Sequence, residues 1–212
     1  MKSTLKFAAI AVSMAFLAGC SSTEYIISTT DGTMITASGK PQLDTKTGMW
    51  LGLGAVVMVF AAFTSAYVVR QGLSSDWRPI HLPSILWLNT AVILASSVTI
   101  ERARRRDGLP WLGATSALGL IFLAGQYVAW QQLRDAGIYL ASNPSSSFFY
   151  LLTGAHGLHI LGGILALVYV VTKAWLRPLW TRRQAAVEAT ALYWHFMDGL
   201  WLYLFFLLKV GR

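Results

Sequence analysis

From Gly48 to the C-terminus, long apolar runs alternate with short polar breaks. The runs cover residues 49–69, 82–100, 111–133, 148–175 and 189–208, each near the roughly 20 residues that carry a helix across a bilayer. The pattern predicts an all-α polytopic membrane protein, with residues 48–212 forming a five-transmembrane-helix bundle. Residues 1–47 are of another kind: 1–20 read as a lipoprotein-like signal, and 21–47 as a short polar segment.

The polar residues inside the runs carry the information. His195 and Asp198 interrupt the last run, EATALYWHFMDGLWLYLFFLLK, and their spacing of three places them on one helical face. Such groups cost several kcal/mol in hydrocarbon unless partnered, so this face is expected to point into protein. Two uses compete: hydrogen-bonded glue that fixes helix register, and a proton relay or cofactor ligand. In the fourth run, His156 and His159 are also three apart, among Gly154, Gly157, Gly162 and Gly163. Histidines on one helix would compete for one side of an iron, so a haem would require His156 or His159 opposite His195. Asn89, Thr90, Ser96 and Ser97 in the second run and Gln126 in the third call for interhelical hydrogen bonds as well.

Composition agrees with a membrane protein: 55% of residues are hydrophobic and 12% charged. In a soluble protein the net charge of +8 would suggest nucleic acid, but here most arginines flank apolar runs, so no nucleic-acid partner is expected. Arginines concentrate in loops 101–109 and 173–187, which the positive-inside rule assigns to the cytoplasm, with the C-terminus periplasmic. Trp50, Trp77, Trp111, Trp175 and Trp180 fall near run ends, where an aromatic belt sits. No Cys/His zinc spacing, phosphate-binding glycine loop or nucleophile–base–acid set is present.

The leader combines Lys2 and Lys6, a short apolar core from Phe7 to Leu17, and Leu17-Ala18-Gly19-Cys20. This tetrad has the form of a lipobox, with Cys20 as the lipid attachment point. Residues 24–28 and 34–38 around Thr30-Asp31-Gly32 read as a hairpin. CSSTEYIISTTDGTMITASGKPQLDTKTGM resembles the start of small bacterial lipoproteins of the YgdI/YgdR type. The resemblance implies a truncated SH3-like fragment over 21–47, expected to be poorly ordered. A lipidated Cys20 lies outside the cytoplasm and would invert the loops that the arginines orient. A fusion at Thr47-Gly48-Met49 reconciles the two.

The runs FTSAYVVRQG, LPSILWLNTAVILASSVT, SSFFYLLTGAHGLHILGGI and YWHFMDGLWLYLFFLL resemble, in chain order, subunit III of haem–copper terminal oxidases (cytochrome c oxidase subunit 3). The short five-helix bacterial form is the one matched. The resemblance implies a non-catalytic, multi-pass subunit of the bacterial inner membrane, working in aerobic electron transport. It implies partners in subunits I and II and in phospholipids, support of subunit I and of its proton uptake, and no haem or copper of its own. His156 and His159 match the family's paired histidines, Trp194, His195 and Asp198 its last polar block, and Glu188 the acidic residue that leads into that helix. With Asn89 and Gln126 these form the expected structural polar network. Val56 stands where many members place a carboxylate, so a proton role tied to that position is not available here. Other readings are a nitric oxide reductase accessory protein of the same family, a stand-alone bis-histidine haem b protein, and an outer-membrane lipoprotein.

Overall fold

The computed structural model describes residues 25–28, 34–37, 45–73, 75–105, 108–176 and 183–210. The expected signal 1–20, with Cys20, lies outside them. The chain divides into two compact units between Asp44 and Thr45. In the first, strands β1 (Tyr25–Ser28) and β2 (Met34–Ala37) pair antiparallel, Tyr25 opposite Ala37 and Ser28 opposite Met34.

Among the described residues, the second unit holds five helices: α1 (Thr45–Leu73), α2 (Ile85–Arg105), α3 (Leu109–Asp135), α4 (Pro144–Leu176) and α5 (Arg183–Val210). Helix α1 runs unbroken through Thr47-Gly48-Met49, so the expected fusion point is no structural boundary. Helix α4 starts four residues before its apolar run. Asn143 Oδ1 accepts the Ser146 N–H at 3.0 Å while Ser146 Oγ accepts the Asn143 N–H, a reciprocal cap, and Pro144 takes the first helical position, where its missing N–H costs nothing.

Among the described residues, four helices, α1, α3, α4 and α5, are long and apolar enough to cross a membrane. Helix α2 falls short of that measure. Its last turn carries Glu101, Arg102, Arg104 and Arg105, and its apolar part, 85–100, is only about 24 Å long at about 1.5 Å per residue. That is shorter than the roughly 30 Å hydrocarbon layer.

Helices α2, α3, α4 and α5 close a ring, each packing on the next and α5 returning to α2; α1 lies against α4 and α5. Leu86, Ile93 and Ile100 of α2, Phe122 and Ala129 of α3, Leu152 and Ile160 of α4, and Trp194, Met197, Trp201 and Leu204 of α5 fill the interior. Large apolar side chains such as Met58, Leu88, Leu120, Leu158 and Phe206 face outward. Apolar groups on both the inside and the outside mark helices built for lipid or for partner helices.

Candidate functional site: two tryptophans and a polar seam

Trp194 and Trp201 stand two turns apart on α5, both fully buried. Each reaches all three other helices of the ring. Trp194 donates its indole N–H to Ser96 Oγ on α2 at 2.8 Å and lies against Gly119 of α3 and Gly163 of α4, close enough that a Cβ there would sit 2.8 and 3.1 Å from its ring. Trp201 donates to Thr90 Oγ1 on α2 at 3.1 Å. It meets Phe122 of α3 edge-on at 4.9 Å and the His156 ring of α4 at 5.2 Å. Both acceptor hydroxyls are themselves anchored, Ser96 donating to Ile93 O and Thr90 to Leu86 O. Indole N–H groups have no water to turn to in such a core, so these bonds fix the register of α5 on α2.

The expected network is present in part. His156 is completely buried, and its Nε2–H donates to Met197 O at 3.2 Å. A carbonyl can only accept, which assigns the proton to Nε2. His159 is half-buried, its Nδ1–H donating to Ala155 O of its own helix at 2.8 Å and its ring meeting Phe60 of α1. The Tyr193 hydroxyl donates to the backbone carbonyl of His159. Asn89 and Gln126 are buried, but the Asn89 Nδ2 and both polar atoms of the Gln126 amide find no partner among the described residues. Asn89 packs at the backbone of Gly125, where an added Cβ would fall 1.9 Å from Oδ1. Glu188 is half-buried and adds its field to that of Glu101 at the Arg104 guanidinium.

His195 and Asp198 differ in burial: Asp198 is 3% exposed, whereas the His195 side chain is 40% exposed. A spacing of three leaves residues about 60° apart around the axis, enough to put one inside and the other on the rim. The Ser97 hydroxyl joins them, donating to Asp198 Oδ2 and meeting His195 Nδ1 at 3.1 Å. On its far side, His195 Nε2 lies 3.6 Å from Glu101 Oε2. Arg104 and Arg105 clamp that carboxylate at 2.6–2.9 Å, and they hold Glu101 well below the usual carboxylate range, at about 2. Ser97 was legible as one of several hydroxyls needing a partner. Glu101 as the neighbour of His195 was not, although its place one turn after Ser97 sets both on one face of α2.

His156 turns to the α5 backbone and His195 to α2, so the two rings address different neighbours. Among the described residues no cluster of three or more His, Cys, Asp or Glu is arranged to hold a metal ion.

The family model for cytochrome c oxidase subunit III matches residues 11–210. The chain belongs to that family. The match reaches back past 48, so the expected junction does not mark where the likeness begins. Cytochrome c oxidase subunit 3 of Synechocystis sp. is 34% identical over 180 residues, covering 76% of this chain and 72% of that protein. A probable cytochrome c oxidase subunit 3 of Mycobacterium bovis is 31% identical, covering 83% of this chain and 94% of its own length. A cytochrome bo(3) ubiquinol oxidase subunit 3 of Pseudomonas aeruginosa is 28% identical over 74% of this chain and 80% of its own. Membership makes this chain a multi-pass, non-catalytic oxidase subunit.

Proposed function

We propose that the chain serves a bacterial haem–copper terminal oxidase as its subunit III, docking against subunits I and II and holding phospholipid on its apolar flanks. In this reading it steadies the oxygen-reducing subunit and its proton supply, and carries neither haem nor copper. The observation that carries it is the family match across nearly the whole chain. The broad outward-facing apolar surface of the helices supports it, since only lipid or partner helices cover such a surface.

Orientation follows from charge. The α2–α3 corner and the end of α4 face the cytoplasm of the inner membrane, and the C-terminus faces the periplasm. Arg102 over the Trp111 ring at 5.1 Å and Lys173 over the Tyr169 ring at 5.0 Å anchor the inner end, with Lys209 over Trp87 at 4.7 Å at the outer. Helix α2 crosses as well, its shorter apolar part sheltered between α3 and α5.

Comparing the purified oxidase with and without this chain tests the role. Haem and copper content is expected to survive removal while sustained turnover declines. Loss of the metal centres together with the chain would contradict it.

A further inference from the structure

The seam between α2 and α5 carries four side chains in one line. Glu101 lies at the cytoplasmic end of α2, beyond the apolar part. One turn deeper is Ser97, and from α5 come His195 and, one turn further in, Asp198. The contacts run Glu101 Oε2 to His195 Nε2 at 3.6 Å, His195 Nδ1 to Ser97 Oγ at 3.1 Å, and Ser97 Oγ to Asp198 Oδ2. The His195 side chain is 40% exposed and Asp198 is closed off. The line therefore leads from an accessible titratable ring to an enclosed carboxyl, with a hydroxyl between them.

We propose that these residues form a proton-loading branch, in which His195 takes a proton from water and Ser97 passes it to Asp198 for storage inside the bundle. With Asp198 ionised, the bonding before loading is set by which groups have a proton to give. A serine hydroxyl has one proton, and here it goes to the Asp198 carboxylate, so His195 must supply the Nδ1–H that Ser97 accepts. That leaves the Nε2 lone pair of neutral His195 facing Glu101. A proton from water binds Nε2 and makes the ring a cation paired with the Glu101 carboxylate. The Nδ1 proton then moves to Ser97 Oγ as the Ser97 proton moves to Asp198 Oδ2. The products are a neutral histidine protonated at Nε2, an unchanged serine and a neutral carboxyl, and the sum of protons is conserved. In the reversed chain the Asp198 O–H donates to Ser97 and Ser97 to Nδ1, so unloading retraces the same path.

Among the described residues, the charged and titratable groups along this seam are Glu101, Arg104 and Arg105 on α2 with Glu188, His195 and Asp198 on α5. On α4, His156 and His159 turn to Met197 O and Ala155 O instead. Asp198 Oδ1 is buried and has no partner among the described residues. The line ends there, which suits storage better than onward conduction. A pure clamp between α2 and α5 would need the Ser97–Asp198 bond, but neither a titratable ring next to it nor a fixed anion beyond that ring.

Only the side from which the proton enters rests on the proposed orientation. Infrared spectroscopy on the intact oxidase tests the branch directly. A carbonyl stretch of a protonated carboxyl, absent in Asp198→Asn, is expected to appear on acidification and to shift in heavy water. His195→Gln keeps a hydrogen-bonding amide without a titrating ring. In that variant and in Ser97→Ala, the shift is expected to slow by about 100-fold, the low end of what a positioned proton-transfer group contributes. A missing Asp198 band, or exchange equally fast in both variants, overturns the proposal. Co-purification with the oxidase is scored separately, so failure to assemble is not confused with failure of the branch.

Discussion

Trp194 on α5 and Ser96 on α2 share a fully buried hydrogen bond, indole N–H to hydroxyl at 2.8 Å, ninety-eight positions apart in the chain. Ser96→Ala leaves the indole donor with nothing to bind. Lost bonds of this kind within membranes cost about 0.6 to 2 kcal/mol, and the unpaired donor sets the upper part of that range. Thermal unfolding of the purified oxidase or of the isolated chain is expected to show it, with Thr90→Val behaving alike through Trp201. Unchanged melting in both variants would show that these bonds do not hold α5 to α2.

Gly125 and Asn89 give a second, two-sided prediction. A methyl at Gly125 meets Asn89 Oδ1 at 1.9 Å and Cγ at 2.8 Å, and Asn89 is itself buried. Gly125→Ala is expected to destabilise by about 1–3 kcal/mol, the usual scale for overpacking. Asn89→Ala in the same chain should restore most of that, because the clash has a single partner. Gly162→Ala meets nothing within 4 Å and is expected to be neutral. Chemical or thermal unfolding of the three variants and the double variant decides it.

His156 separates packing from polarity. Its ring lies against Trp201 at 5.2 Å and edge-on to Phe122 at 5.7 Å, while its Nδ1 has no partner among the described residues. His156→Phe keeps the aromatic contacts, loses one hydrogen bond to Met197 O and removes the unpartnered nitrogen. The net change is expected to stay within about 1 kcal/mol, whereas His156→Ala opens a cavity and costs about 3–5 kcal/mol. Equal losses in both would show that the hydrogen bond, not the stack, dominates. Melting temperatures of the assembled complex provide the reading.

Why the sequence revealed some of this and not the rest follows from particular residues. Apolar length alone marks α1, α3, α4 and α5, because hydrocarbon demands it. Helix α2 is less legible: its charged turn from Glu101 to Arg105 belongs to the helix, and hydropathy cannot see where an apolar helix continues into water. The burial of Asn89, Gln126, His156 and Asp198 was readable, since isolated polar groups in apolar runs have few alternatives. The exposure of His195 was not. A three-residue spacing fixes a shared half of the helix, but the position of α2 decides which of the two residues meets solvent. Trp201 looked like ordinary apolar bulk and Trp194 entered the expected network through the resemblance alone; only the packing shows each touching α2, α3 and α4.

Acidity bears on the α2 terminus. Arg104 and Arg105 hold the Glu101 carboxyl down to about 2, below its unfolded value of about 4.3. A depressed folded value contributes stability that is full above the unfolded value and fades as pH falls towards the folded one. The pairs are largely exposed, so the contribution is about 0–1 kcal/mol. The stability gap between the parent and Glu101→Gln is expected to hold from neutral pH to about 4.3 and to close between there and about 2. A gap that widens with acid would mean that Glu101 is not the anion of this cluster.

The claim beneath all of this is that the buried polar residues belong to a helper subunit seated in a larger respiratory complex. Affinity purification of the tagged full-length chain from bacterial membranes under mild detergent, followed by an absorption spectrum of each separated subunit, tests it most directly. The expected result is stoichiometric recovery of a haem-bearing partner, with this chain colourless once separated. Recovery of the chain alone, or with a haem band of its own, would contradict it.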